Sequence, residues 1–307
     1  MILFFIVKKN NINKETIINF IVNYGLIISI LIIFSFLTGW GGRTFKKEYG
    51  FGTTSWFIAG NDLGITMLLS LICCLYFLFF VNKKYKILKF LSIFIGTVLV
   101  GTRSAIAGSI IVILILLYYY SFIYKAKNKL IKSITIFSII PFFIYSCILI
   151  GLTLYSQFDD YALNKFTLES VQSGRSYLIE PAVKHIKNFN SFEIFIGKGS
   201  SSLYNAVATQ VFGDNDEQKT VEADIYETFG AYGFLLGIVT ILPLYYFFIK
   251  SIKQFIHKMS LFNLCIFLMT SSYILIGFLG GHCLKNSMSA PIYAYFVSNL
   301  ISLKNDL

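Results

Sequence analysis

The chain has 307 residues, 56% of them hydrophobic and only 13% charged, whereas a soluble domain carries roughly 25% charged residues. The apolar residues come in long blocks, and about 20 such residues cross a bilayer core, so a soluble globular protein is excluded. So is an outer-membrane barrel, which needs alternation over roughly 10-residue segments, and the net charge of +11 does not point to nucleic acid, because most of the lysines lie in short connections between apolar blocks, where they set topology.

Met1 to Val7 is apolar, but no basic region precedes it and no small-residue cleavage site follows. It does not read as a signal peptide; it is too short to span and is compatible with the tail of a helix lost from the front of the chain. Eight spans are then expected, at about 17–39, 62–81, 87–101, 104–124, 132–156, 225–249, 261–281 and 287–303. The expected fold is all-α, a polytopic membrane helical bundle forming a single domain over 1–307. Lys8, Lys9 and Lys14 precede the first span; Lys83, Lys84, Lys86 and Lys89 lie between the second and third. Lys125, Lys127, Lys129 and Lys132 lie between the fourth and fifth, and Lys250, Lys253 and Lys258 between the sixth and seventh. Every second connection is thus lysine-rich, which places those connections and both termini in the cytoplasm.

The remaining connections face outward: 40–61, the Gly101-Thr102-Arg103 corner, the long segment 157–224 and 282–286. The long segment carries ten acids against six bases, a balance suited to the non-cytoplasmic side. Within it Leu178, Ala182, His185, Ile186 and Phe189 recur at helical spacing, opposite Glu180, Lys184 and Lys187. This predicts an amphipathic helix on or near the membrane surface, with Pro181 near its first turn. Asn205 to Asn215 is expected as a mobile lid. Cys73, Cys74, Cys147 and Cys265 fall in apolar runs and Cys283 at a helix end. They read as small core residues, with neither disulfide framework nor metal spacing.

Only three arginines occur among the 26 basic residues: Arg43, Arg103 and Arg175. All three fall on the outward side, against the topological bias. A guanidinium offers a planar fork matched to phosphate oxygens, where lysine offers a point charge. Arg43, in Gly41-Gly-Arg-Thr44, reads equally as a headgroup anchor. Arg103 stands between two apolar blocks, where an ionisable group points to function. Arg175 sits on what reads as a Ser173-Gly174-Arg175 turn. Glu222 and Asp224 precede the sixth span and serve either as helix caps or as a general base and sugar ligand. Glu227, one turn further in, could pair with an arginine. His282, in Gly280-Gly-His-Cys283, is an interfacial group or a substrate ligand; Asn61-Asp62 opens the second span as a cap. Gly101, Ala105 and Gly108, and Gly230, Gly233 and Gly237, read as small-residue packing faces. No nucleotide loop, zinc signature or serine-hydrolase elbow is present.

Taken together, these landmarks resemble the O-antigen ligase and Wzy-type polymerase superfamily of bacterial envelope enzymes. Asn61-Asp-Leu-Gly64, Gly101-Thr-Arg-Ser104, Ser173-Gly-Arg175, Gly197-Lys-Gly199, the segment Glu222-Ala-Asp-Ile-Tyr-Glu-Thr-Phe-Gly-Ala-Tyr-Gly233 and Gly281-His282 follow in the superfamily's order. Ligases often have His-Asn where this chain has Glu222-Ala223, so the polymerase branch is the closer resemblance. It implies metal-independent glycosyl transfer without a cofactor, at the outer face of the bacterial cytoplasmic (inner) membrane. The donor would be a polyprenyl-pyrophosphate-linked oligosaccharide and the acceptor another such unit. A chain-length regulator, a flippase and membrane lipids would be partners. In that reading Arg103 and Arg175 hold the pyrophosphate, Glu222 is the base, and Asp224, His282 and Arg43 bind substrate. The alternatives are a ligase with a different acceptor, a glycolipid flippase or transporter, and an inactive fragment.

Overall fold

The structure, a computed structural model, describes residues 14–44, 52–57, 59–80, 84–118, 168–213, 219–281 and 283–302. The described residues fall into two compact units, 14–118 and 168–302.

The first unit is helical. Helix α1 (Lys14–Thr38) leads through a small antiparallel ribbon, β1 (Gly42–Arg43) with β2 (Thr53–Ser55), into α2 (Gly60–Phe80), α3 (Lys86–Leu99) and α4 (Arg103–Tyr118). Gly25 lies against Ser70 and Ile93, Gly96 against Ser29, and Gly108 against Leu68, so the helices close up where a side chain is missing. These contacts run α1 antiparallel to α2 and parallel to α3, with α4 parallel to α2. One end of the unit therefore gathers Lys14, Lys84, Lys86 and Lys89. The opposite end gathers Arg43, Asn61-Asp62 and the Gly101-Thr102-Arg103 corner.

In the second unit α5 (Leu168–Lys187), α6 (Glu193–Ile196) and α7 (Ser200–Phe212) precede α8 (Asp224–His257), α9 (Leu261–Gly280) and α10 (Ala290–Ser302). Leu178 and Ala182 of α5, Leu203 and Val207 of α7, and Val221, Ala223 and Ala231 form one buried cluster. Three expectations for this stretch change. Protein, not a membrane surface, covers the Leu178–Ala182 face of α5. Pro181 lies deep inside the helix, and Ser173-Gly174-Arg175 is helical where a turn was expected. Asn205 to Phe212 is the second half of α7, not a lid. Farther on, Ser251 Oγ and Thr270 Oγ1 (2.7 Å) and the Tyr273–Tyr293 stack at 4.1 Å align α8, α9 and α10 as an antiparallel set.

Helix α8 is broken at Gly233 (φ 64°, ψ −174°). A Cβ at Gly197 would stand 2.2 Å from Ala231 O, and Gly199 N–H donates to that same carbonyl at 2.8 Å. The Gly197-Lys-Gly199 stretch thus passes backbone to backbone against the break and supplies a donor that the interrupted helix cannot. Gly233 packs as expected, but against the backbone of 194–197 and at a break in the helix, and Gly230 packs against Leu203; Gly101 (φ 75°) is a corner residue.

Among the described residues three helices, α1, α2 and α8, are long and apolar enough to cross a membrane, and Ser104–Ile115 and Leu261–Gly277 are shorter apolar stretches. The fifth expected span, 132–156, lies outside the described residues. Cys73, Cys74, Cys265 and Cys283 are buried.

Candidate functional site

The start of α8 is held by the connection between α9 and α10, residue against residue. Glu222 has a left-handed backbone (φ 57°), uncommon outside glycine. Gly281 (φ 62°) sits against it so closely that a Cβ there would be 2.6 Å from the Glu222 carbonyl carbon and oxygen. Two residues on, Asp224 is 6% exposed, and its Oδ2 accepts N–H bonds from Cys283 (2.8 Å) and Leu284 (3.1 Å). One turn further, Glu227 Oε1 accepts from Lys285 Nζ and from the Tyr204 hydroxyl. Glu222, Asp224 and Glu227 are thus met in order by Gly281, Cys283-Leu284 and Lys285.

Both partner segments are fixed from behind. Asn286 Oδ1 accepts from Met288 N–H and Ser289 N–H, each at 3.0 Å, and Tyr273 OH donates to Cys283 O at 2.8 Å. Lys219 Nζ reaches Glu222 Oε1 at 3.2 Å, with both side chains about 30% exposed. The Glu222 carboxylate is therefore at the surface, while Asp224 and Glu227 are below it. Lys285 also gives Tyr204 a hydrogen bond and sits 5.0 Å from its ring centre. Burial works against the Lys285 ammonium, but the bonds to Glu227 and Tyr204 outweigh it and raise the pKa above the usual lysine value. Burial, with the bond to Glu227, raises the Tyr204 phenol as well.

In the first unit, Arg43 is exposed on β1 and Arg103 opens α4. The next residue of the ribbon, Thr44, donates from Oγ1 to Val100 O at 2.5 Å, and Gly52 packs on the same carbonyl. This seats the arginine-bearing ribbon on the Gly101-Thr102-Arg103 corner. Thr102 is buried against Gly64, and Asp62 lies in the first turn of α2.

The structure thus brings Glu222 and Asp224 together in the second unit and puts Arg43 and Arg103 at one end of the first. Arg175 lies within α5, and His282 lies outside the described residues, although its neighbours Gly281 and Cys283 are placed on Glu222 and Asp224. Glu227 pairs with a lysine, not with the arginine expected from sequence. Asp224, expected as a sugar ligand, gives one carboxylate oxygen to two backbone N–H groups. Sequence reasoning missed Tyr204, Lys219 and Lys285. The available signal was Lys285 itself, a lysine on a connection that the topology places outward. Among the described residues no group of three His, Cys, Asp or Glu side chains is placed to hold a metal ion.

Comparison with known proteins matches no curated protein and no solved structure. Residues 1–176, more than half of the 307-residue chain, match the family described as O-antigen ligase like membrane protein.

Proposed function

The chain belongs to the O-antigen ligase like membrane protein family, an integral membrane family tied to envelope glycans, and from that premise we propose that it polymerises lipid-linked oligosaccharide repeat units. The proposal takes the chain as one membrane domain with 157–224 as its extracytoplasmic loop, working at the outer face of the cytoplasmic membrane. The donor is a polyprenyl-pyrophosphate-linked oligosaccharide, and the acceptor is a sugar hydroxyl of a second unit. Glu222 takes the proton of that hydroxyl as its oxygen attacks the anomeric carbon. The new glycosidic bond forms while the bond from the anomeric carbon to the diphosphate oxygen breaks, and polyprenyl diphosphate leaves with the electron pair. Arg103 and Arg175 offset the charge that develops on the departing diphosphate, with Arg43 and His282 as further ligands. Asp224 holds the segment that presents Glu222 and orients the sugar.

The observation that carries this reading is the contact of Gly281 through Lys285 with Glu222 through Glu227. It leaves one carboxylate at the surface on a strained backbone, and such outliers concentrate at working sites. A ligase reading, with the same donor and another acceptor, draws on the family's description. The glycan profile of a deletion strain separates the two: single repeat units on the final acceptor mark a polymerase, long unattached chains a ligase. Arg103→Lys keeps the charge and loses the fork, so polymer should fall at least tenfold in cells. Normal polymer from that variant would remove Arg103 from the mechanism.

A further inference from the structure

The short helix α6 carries an apolar patch on its surface. Phe192, just before it, is 70% exposed and Phe195 is 57% exposed; Ile194 and Ile196 are exposed as well. Four large apolar side chains within five residues form a patch, not a scatter. The backbone beneath them has its donors met from within. Asn190 Oδ1 accepts from Phe192 N–H (3.0 Å) and Glu193 N–H (2.9 Å), and Asn190 O accepts from Ile194 N–H (3.0 Å). Phe192 O accepts from Phe195 N–H and Ile196 N–H, and Glu193 O accepts from Gly197 N–H at 2.7 Å. Every N–H from Phe192 to Gly197 is therefore bonded inside the protein, including those of the first turn that a helix leaves open. Glu193 is paired with Lys198 at 3.1 Å and accepts from Asn190 N–H. Such a segment can enter a medium poor in water, where an unmet N–H is costly.

The position of α6 selects that medium. A Cβ at Gly233 would stand 2.7 Å from Phe195 C and 2.8 Å from Ile194 O, so α6 abuts α8 at its break. Before the break α8 is enclosed by protein: Asp224, Glu227, Thr228 and Ala231 are buried. After it the shaft is open and apolar, with Leu235, Ile238, Val239 and Leu242 exposed and no charged residue until Lys250. Gly233 to Lys250 rises about 25 Å at roughly 1.5 Å per residue, close to the roughly 30 Å of a bilayer core. In a chain of an integral membrane family, that open shaft faces lipid and the break marks one edge of the hydrocarbon. The patch on α6 continues the apolar surface of the shaft at that edge. We propose that α6 is a wedge set into the membrane interface, with Phe192 and Phe195 among the headgroups and upper acyl chains of phospholipids. This puts the Gly197-Lys-Gly199 crossing, and the break of α8 that it supports, at headgroup depth. The inference does not depend on which glycan reaction the chain carries out.

The test replaces Phe195 or Phe192 by the photoreactive residue p-benzoylphenylalanine in the full-length protein. The protein is placed in vesicles of phosphatidylethanolamine and phosphatidylglycerol and irradiated, which joins the probe to whatever C–H bond lies against it. Mass spectrometry then identifies the adduct. Asn205 and Gln210, polar and exposed on α7, are the comparison positions. Phospholipid adducts at Phe195 and Phe192 should exceed those at Asn205 and Gln210 several-fold. Phe192 is the more exposed of the two, so the larger ring is accommodated there without repacking; it decides alone if the probe at Phe195 lowers the melting temperature. A lipid yield no higher than at Asn205 and Gln210 would put α6 in water. Adducts to a peptide of this chain, or of a second copy, in place of lipid would mean that protein covers the patch. Either result would overturn the proposal.

Discussion

At the end of the first unit that carries Arg43 and Arg103, the chain closes on hydroxyls and glycines. Thr44 donates to Val100 O, Ser35 to Thr53 or the reverse, and Gly52 and Gly64 let backbone and side chains meet without a gap. At the end of the second unit that carries Glu222, the chain closes on carboxylates: Asp224 and Glu227 are engaged by the 281–285 connection and Glu222 by Lys219, with Gly281 against the Glu222 backbone. The first end satisfies a carbonyl that a helix leaves open, and the second satisfies two amides of a connection between helices. The first does so with neutral groups and puts Arg43 on the surface. The second does so with charge, and its acids hold lysines and amides in place. A charged frame suits a site in which one carboxylate must stay at the surface while its neighbours are neutralised.

The comparison can be broken first at the second unit's backbone crossing. Gly197→Ala combines a left-handed backbone with a clash against Ala231 O, so unfolding stability in detergent should fall on the order of 4 kcal/mol. Little change in the melting profile would mean that the crossing is loose. Next, Asp224→Ala strips the acceptor from two amides and should cost about 3 kcal/mol, with Asp224→Asn recovering about half, because its oxygen still accepts. Thr44→Val tests the neutral frame. It removes one hydroxyl bond and should cost only about 1 kcal/mol by the same assay. If Thr44→Val proves worse than Asp224→Ala, the contrast between the two ends fails.

The smallest expected effect is alkaline. Lys285 and Tyr204 both have folded pKa values above their ordinary ones, so the folded state holds their protons longer. Their contribution is fully present below the unfolded values near 10 and is lost as pH rises through the raised ones. The melting temperature of the parent protein should therefore fall more steeply above pH 10 than that of Lys285→Gln. Solvent screening of a half-exposed lysine keeps the difference small.

The sequence revealed the long helices because about 20 apolar residues in a row leave little choice of structure. Helices α1, α2 and α8 begin within a few residues of where hydropathy puts them. Glu222, Asp224 and Gly281-His282 stood out because acids and a Gly-His at helix ends are unusual in so apolar a chain. Lys285 did not, because lysines count as topology markers, and its partner Glu227 lies 58 positions away in the chain. The Ser173-Gly174-Arg175 stretch reads locally as a turn, yet α5 continues through it, with Leu178 and Ala182 packed against α7 and α8. Gly233 looked like one more small residue on a helix face; only the approach of Gly197 explains why its backbone turns left-handed.

The stretch between Gly199 and Glu222 leaves and rejoins the same neighbourhood, pinned at Ala231 on departure and at Gly281 on return. Between those moorings Leu203, Val207 and Val221 are buried against α5 and α8, so the stretch is fastened along its length as well as at its ends. An insertion there is tolerated only where it leaves those three side chains in register with the helices they cover.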